Sequence, residues 1–232
     1  TGTATSNGPN TADIQIDLDL AVPADCTRLP NGAQSESFPA VPALASRTST
    51  KDWTVNCSQP SSHQFDATGS VTVTGLATDT NLANNGPINT SGTVTVTGQA
   101  DIGVSGLTVS APPTAPVSAP FNVTVSGTLH NAGPVTPVTV DATLDLAVPP
   151  GCARVPNSSQ SDLGVSLALS TGVPISKMWT VTCSAVGVQN FDGSATVAVN
   201  QLHVTDPNAV NDTALASGST NVQGPADLKV TG

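Results

Sequence analysis

A nine-residue phrase occurs twice in this chain, as LDLAVPADC at Leu18–Cys26 and as LDLAVPPGC at Leu144–Cys152, 126 positions further on. The same spacing joins Trp53 to Trp179, Cys57 to Cys183, Phe65-Asp66 to Phe191-Asp192 and Lys51 to Lys177. Asp79 answers to Asp206 one position out of step, a single insertion in a loop. Two copies of one set of local instructions call for two like folding units in tandem. With 232 residues in all, each unit has the length of one small domain with a modest core. The division expected is residues 1–98 for the first repeat, 99–224 for the second, and 225–232 as an extra strand of a following domain or subunit.

The second copy can be read in full. FNVTVSGTL (Phe121–Leu129) and VTVDATLDLAV (Val138–Val148) alternate apolar and polar residues around the turn signal HNAGP. Ala100–Val109 alternates likewise, and the Pro-rich stretch SAPPTAPVSAP follows it. VSLALS, KMWTVTC, GSATVAVNQLHV and ALASGSTNV complete about seven short strands. Thr and Val dominate, and both favour pleated structure. No segment of helical length shows a 3.6-residue period. The fold class expected is all-β: two tandem immunoglobulin-like antiparallel β-sandwich domains.

The charge balance narrows the partners. Lys and Arg number six and the net charge is −10, which argues against nucleic acid, whose phosphates must be neutralised by cations. No apolar run approaches the roughly 20 residues of a membrane span. The chain opens on Thr and shows no signal peptide, so the expectation is a processed form or a segment of a longer protein.

Each unit holds two cysteines 31 apart, Cys26 with Cys57 and Cys152 with Cys183. An even count repeated per unit suggests one disulfide in each, worth about 3–4 kcal/mol by loop closure. Four free thiols are the alternative. A zinc site has little behind it, since CxxC is absent and His63, His130 and His203 occupy unmatched positions. Disulfides imply an oxidising compartment, extracellular or at the cell surface.

NGPNTADIQIDLDLAVPADCT, WTVNCSQPSSHQF and VTDPNAVNDTA resemble the tandem repeats of large bacterial and archaeal surface proteins, the DUF11-like and CARDB-like immunoglobulin-fold repeats. The asparagine-rich close of each unit and the early HNAGP fit that pattern. The resemblance implies an extracellular spacer, stalk or adhesion role without known catalysis, and it carries over no functional residue.

Other constellations are thin. No G-x-S-x-G elbow and no phosphate-cradling glycine loop are present, and no enzymatic role is expected. Asp79 and Asn81 cluster in one loop with Asn84 and Asn85, as Asp206, Asn208 and Asp212 do with Asn211 in its counterpart. Such oxygens suit calcium, but Asx residues also make turns by bonding their own backbone. Turns are the preferred reading, and no cofactor is expected otherwise. Asn56, Asn89, Asn122, Asn157 and Asn211 head N-x-S/T sequons and are glycosylation candidates. Trp53 and Trp179 share a strand face with the second cysteine, which favours core packing over sugar stacking. Lys51 and Lys177 read as ordinary solvated lysines.

The tail ADLKVTG (Ala226–Gly232) repeats ADIGVSG at Ala100, with Ala226, Leu228 and Val230 alternating as Ala100, Ile102 and Val104 do. The first repeat lacks that opening strand, since TGTATSNGP at its start aligns with SGTLHNAGP at Ser126–Pro134. The tail is expected to complete a first-type domain in a linear array, either by strand donation to another copy or by covalent continuation into a neighbouring repeat. The function expected is a structural module of an extracellular fibre or stalk, and the alternative is a carbohydrate- or calcium-binding adhesion module. Alkylation of the unreduced protein is expected to label none of the four cysteines, and labelling of all four would discard the disulfides.

Overall fold

The computed structural model describes residues 1–226 and 228–230. It is all-β apart from one 3-10 turn at Leu82–Asn84. The chain divides into two compact units, Thr1–Val96 and Thr97–Gly232. The boundary lies two residues before the expected one. β9 (Gly98–Gln99) pairs in parallel with β18 (Val204–Thr205), so this short strand belongs to the second unit. Among the described residues no helix is long and apolar enough to cross a membrane.

The second unit continues with β10 (Ile102–Ser110), β11 (Thr114–Pro116), β12 (Pro120–Asn131), β13 (Val138–Ala147), β14 (Cys152–Val155), β15 (Gln160–Leu167), β16 (Val173–Cys183), β17 (Gly187–Val199) and, last, β19 (Thr213–Gln223). One sheet runs β10-β12-β16-β14 and the other β11-β19-β17-β13-β15. A single apolar cluster draws on both, and its largest buried side chains are Trp179, Phe191, Ile102, Leu129, Leu144 and Leu146. The arrangement is sandwich-like. Its strands bury every second side chain, as in β13, where Val138, Val140, Ala142, Leu144 and Leu146 all face inward.

Two short strands escape a reading by periodicity. β14 is only four residues long, too short to show a period. β11 sits inside the Pro-rich stretch, where Pro is tolerated because β11 is an edge strand, paired on one side with β19. That stretch carries the chain from one sheet to the other.

The first unit contains β1 (Gly2–Thr5), β2 (Ala12–Ala21), β3 (Cys26–Leu29), β4 (Gln34–Val41), β5 (Ser46–Ser49), β6 (Thr54–Cys57), β7 (Ser61–Val73) and β8 (Ile88–Val96). Its larger sheet, β4-β2-β7-β8, matches β15-β13-β17-β19. The register matches too: Leu18 faces Gly69 as Leu144 faces Ala195. Gly2 opposes Ser49 on β1-β5 as Gly127 opposes Ile175 on β12-β16.

Among the described residues this unit has no counterparts of β10, β11 and the first half of β12. The consequence is visible in the strand that β12 would hold. β16 is continuous in the second unit, whereas its counterpart is split into β5 and β6, with Thr50–Trp53 unpaired between them. The core is open on the same side. Trp179, Val181 and Phe191 are 0% exposed, while Trp53, Val55 and Phe65 are only half-buried. A smaller cluster remains around Ile14, Ile16, Leu18 and Val41.

Truncating Trp179 to Ala is expected to cost the second unit about 3–5 kcal/mol, as for a fully buried aromatic, and Trp53→Ala less in the first. Denaturant unfolding followed by fluorescence checks this. With Trp179 replaced by Phe, the remaining Trp53 emission is expected to be quenched by acrylamide.

Candidate functional site

The disulfides come first, because they hold the strand ends. Cys26 joins Cys57 and Cys152 joins Cys183, each with a Cα–Cα distance of 4.0 Å. Both bridge directly opposed residues of neighbouring antiparallel strands, β3-β6 and β14-β16, where Cβ atoms come within bonding reach.

Around them the two units repeat the same polar contacts. Trp53 donates its indole N–H to the Gly32 carbonyl at 3.2 Å, and Trp179 to that of Ser158 at 3.1 Å. Arg28 pairs with Asp19 at 2.6 Å and Arg154 with Asp145 at 2.5 Å. Arg154 also lies over the Trp179 ring. Trp179 presents no free stacking face, since it is 0% exposed, and Trp53 is half-buried. Lys51 and Lys177 depart from the solvated reading. They pair with Glu36 at 3.3 Å and Asp162 at 2.5 Å, and little of either side chain is exposed.

Under the first disulfide the units diverge. The buried His63 places Nε2 2.8 Å from Asp25 Oδ2, and Ser61 Oγ lies 3.1 Å from the same nitrogen. Ser61 Oγ also lies 3.4 Å from Nδ1, which the Ser61 backbone carbonyl meets at 3.1 Å. The His63 hydrogen bond holds the Asp25 carboxyl below its ordinary value. Gln189 takes the equivalent place in the second unit. The sulfurs of Cys26 and Cys57 lie close to His63, but they are bound to each other. Asp25 and Ser61 carry no sequence signal, because only the fold brings them to His63.

The Asx-rich loops are turns. Asp79 Oδ1 accepts the Asn81 N–H at 2.9 Å, and Asp206 Oδ1 that of Asn208 at 2.7 Å, the bond two residues on that defines an Asx turn. Asp206 does more. Its Oδ2 accepts the backbone N–H of Ile102 at 2.7 Å, anchoring β10. Asp101 accepts from the Asn211 side chain at 2.8 Å. Of the sequon asparagines, Asn211 engages its amide nitrogen in this bond. Asn56, Asn89, Asn122 and Asn157 are exposed. Asn211 Oδ1 and Asp212 Oδ1 are buried without a hydrogen-bond partner. Burial and the nearby carboxylates of Asp206 and Asp101 push the Asp212 carboxyl up to about 6. These are oxygens of the kind a hard cation takes.

The open edge of the first unit completes the picture. Ser6 donates its N–H to Ala45 and accepts from Leu44, so it faces β5. By strand alternation Thr3 and Thr5 direct their backbone groups to the other edge of β1, the edge that β10 covers on β12. Of the expected assembly strand, Ala226 is exposed, Leu228 is 93% and Val230 96% exposed, and none of the three lies in a strand. Asp227, Thr231 and Gly232 of the tail lie outside the described residues.

No protein-family model matches the chain, and no curated protein matches it. The crystal structure of red sea bream transglutaminase is similar at 15% identity with a TM-score of 0.27. That likeness covers 95% of this chain and 28% of that one, and at such a score it carries no argument about fold or function.

The raised Asp212 value sets a pH dependence. Between its ordinary 3.8 and about 6 the folded unit keeps a proton that the unfolded chain has released. This contribution to stability is present at acid pH and is lost as pH rises through about 6. The second unit is expected to melt lower at pH 7 than at pH 5. Asp212→Asn, which copies Asn85 of the first unit, is expected to raise the melting temperature at pH 7 and flatten the dependence. Calorimetry across that range checks both.

Proposed function

We propose that this protein is a non-catalytic structural module of an extracellular fibre, stalk or surface protein, and that it assembles head to tail. The observation that carries the reading is what the two units share. Disulfide, indole hydrogen bond, Arg–Asp pair and Lys–carboxylate pair recur at equivalent positions. The groups that chemistry would use differ: His63 stands against Gln189, and Asp212 against Asn85. Repetition thus preserves architecture and leaves reactive groups unmatched, as a spacer requires and a receptor with a duplicated site does not.

Each unit is read as an immunoglobulin-type domain. In support, the first two-sheet strand of the second unit splits into β10 and β11, one on each sheet, as the opening strand of variable-type sandwiches does. One departure is that β14 reaches the edge beside β16 before β15 reaches the edge beside β13. The family reading, DUF11-like or CARDB-like repeats of surface proteins, rests on the sequence resemblance, and two disulfides suit the oxidising compartment it implies.

A second reading, a carbohydrate- or calcium-binding adhesion module, has one observation behind it: the unpaired oxygens of Asn211 and Asp212. A rise in the melting temperature of the second unit on adding calcium would favour it. For the structural reading, electron microscopy and light scattering of the purified protein are expected to show linear assemblies that lengthen with concentration. Single particles at every concentration would overturn it.

A further inference from the structure

In the second unit β10 is held from two sides. Its Gly103 and Ser105 pair with His130 and Thr128 of β12. Its alternate N–H groups turn the other way, Ile102 to Asp206 Oδ2 at 2.7 Å and Val104 to the Asn211 carbonyl at 3.0 Å. Ala100 and Ile102 are 0% exposed and Val104 7%. The backbone of Ala100 and Asp101 presses so close to Gly133 that a Cβ there would stand 2.2 Å from the Asp101 nitrogen.

The first unit keeps this socket without its strand. β1 supplies the part of β12 that Ile102–Ser105 pairs with, in the same register against β5. Asp79 stands for Asp206, and the Asn84 carbonyl for that of Asn211. Gly8 stands for Gly133, and a Cβ on Gly8 would meet nothing within 4 Å. The strand that sits there in the second unit has its sequence match at Ala226–Val230.

We propose that the C-terminal segment of one copy adds as an antiparallel strand to the free edge of β1 in another copy. Val230 lies opposite Ala4, Lys229 opposite Thr5 and Leu228 opposite Ser6. Asp79 receives the Leu228 N–H, and Leu228 and Val230 enter the open core beside Ala4. This rests on the head-to-tail reading above and names its contact. Such a contact is heterologous, so it propagates, and main-chain bonding gives it affinity while the inward side chains give it register.

One pair of residues makes the fit selective. At Gly103 a Cβ would come within 2.7 Å of His130 Nε2 and 3.0 Å of Asn211 Nδ2, so any larger residue opposite forces these side chains aside. The tail carries Lys229 at that position, and the first unit carries the smaller Thr5 in place of His130. The tail therefore suits the first unit better than a copy of the second.

The test mixes two full-length variants, Ala4→Cys and Val230→Cys, under mild oxidation. A disulfide joining positions 4 and 230 of different chains, identified by peptide mass, is the expected product. Adding Gly8→Val to the Ala4→Cys chain is expected to abolish the link while leaving the melting of the first unit unchanged. In the otherwise native protein, Thr5→His is expected to shorten the assemblies seen by sedimentation, and Lys229→Gly on top of it to restore them. Linear assembly without the 4–230 link would overturn this pairing and leave the array standing. Neither link nor assembly would overturn both. A link or an assembly indifferent to Gly8→Val and Thr5→His would overturn the socket.

Discussion

The closure of one sheet by its first strand is the constraint on which the second unit depends. A β-strand has two edges, and each edge must find partners or water. β10 satisfies one edge with β12 and the other with the Asp206 carboxylate and the Asn211 carbonyl. Only then can Ala100, Ile102 and Val104 be withdrawn from water, and the apolar area they remove is the main stabilising gain of such a strand. Trp179 and Phe191 are buried in the same core, where the first half of β12 sets Val123 opposite Trp179 and Phe121 against Phe191. The first unit shows the converse, since the same tryptophan and phenylalanine positions are half-buried where no strand covers them.

The polar loop takes its chemistry from the same strand. Asp206 is an Asx-turn residue on one oxygen and an acceptor for β10 on the other. Bringing β10 home also brings Asp101 towards Asp206 and Asp212, and three carboxylates in a partly desolvated place cannot all keep their charge cheaply. The raised Asp212 value is the result. The same loop that offers oxygens to a cation also clamps β10, at an electrostatic cost. Beneath the disulfides, His63 bonded to Asp25 and Gln189 donating to the Ala185 carbonyl are two ways of filling one polar niche.

The sequence by itself determined the all-β class, the two-unit plan and the cysteine partners. These rest on local and periodic signals: alternation of apolar residues in VTVDATLDLAV, the 126-residue return of LDLAVP, and one pair of cysteines per repeat. The likeness of tail to first strand was legible for the same reason. Tertiary structure alone decided how these parts meet. β11 and β14 were invisible because three or four residues carry no period. The ion pairs of Lys51 and Lys177, the Asp25–His63 contact and the anchoring of Ile102 by Asp206 join residues 15 to 104 positions apart, and only pairing across sheets sets which of them touch. Space was the last thing hidden: Gly8 and Gly133 are the same letter in the same motif, and only packing makes one crowded and the other vacant.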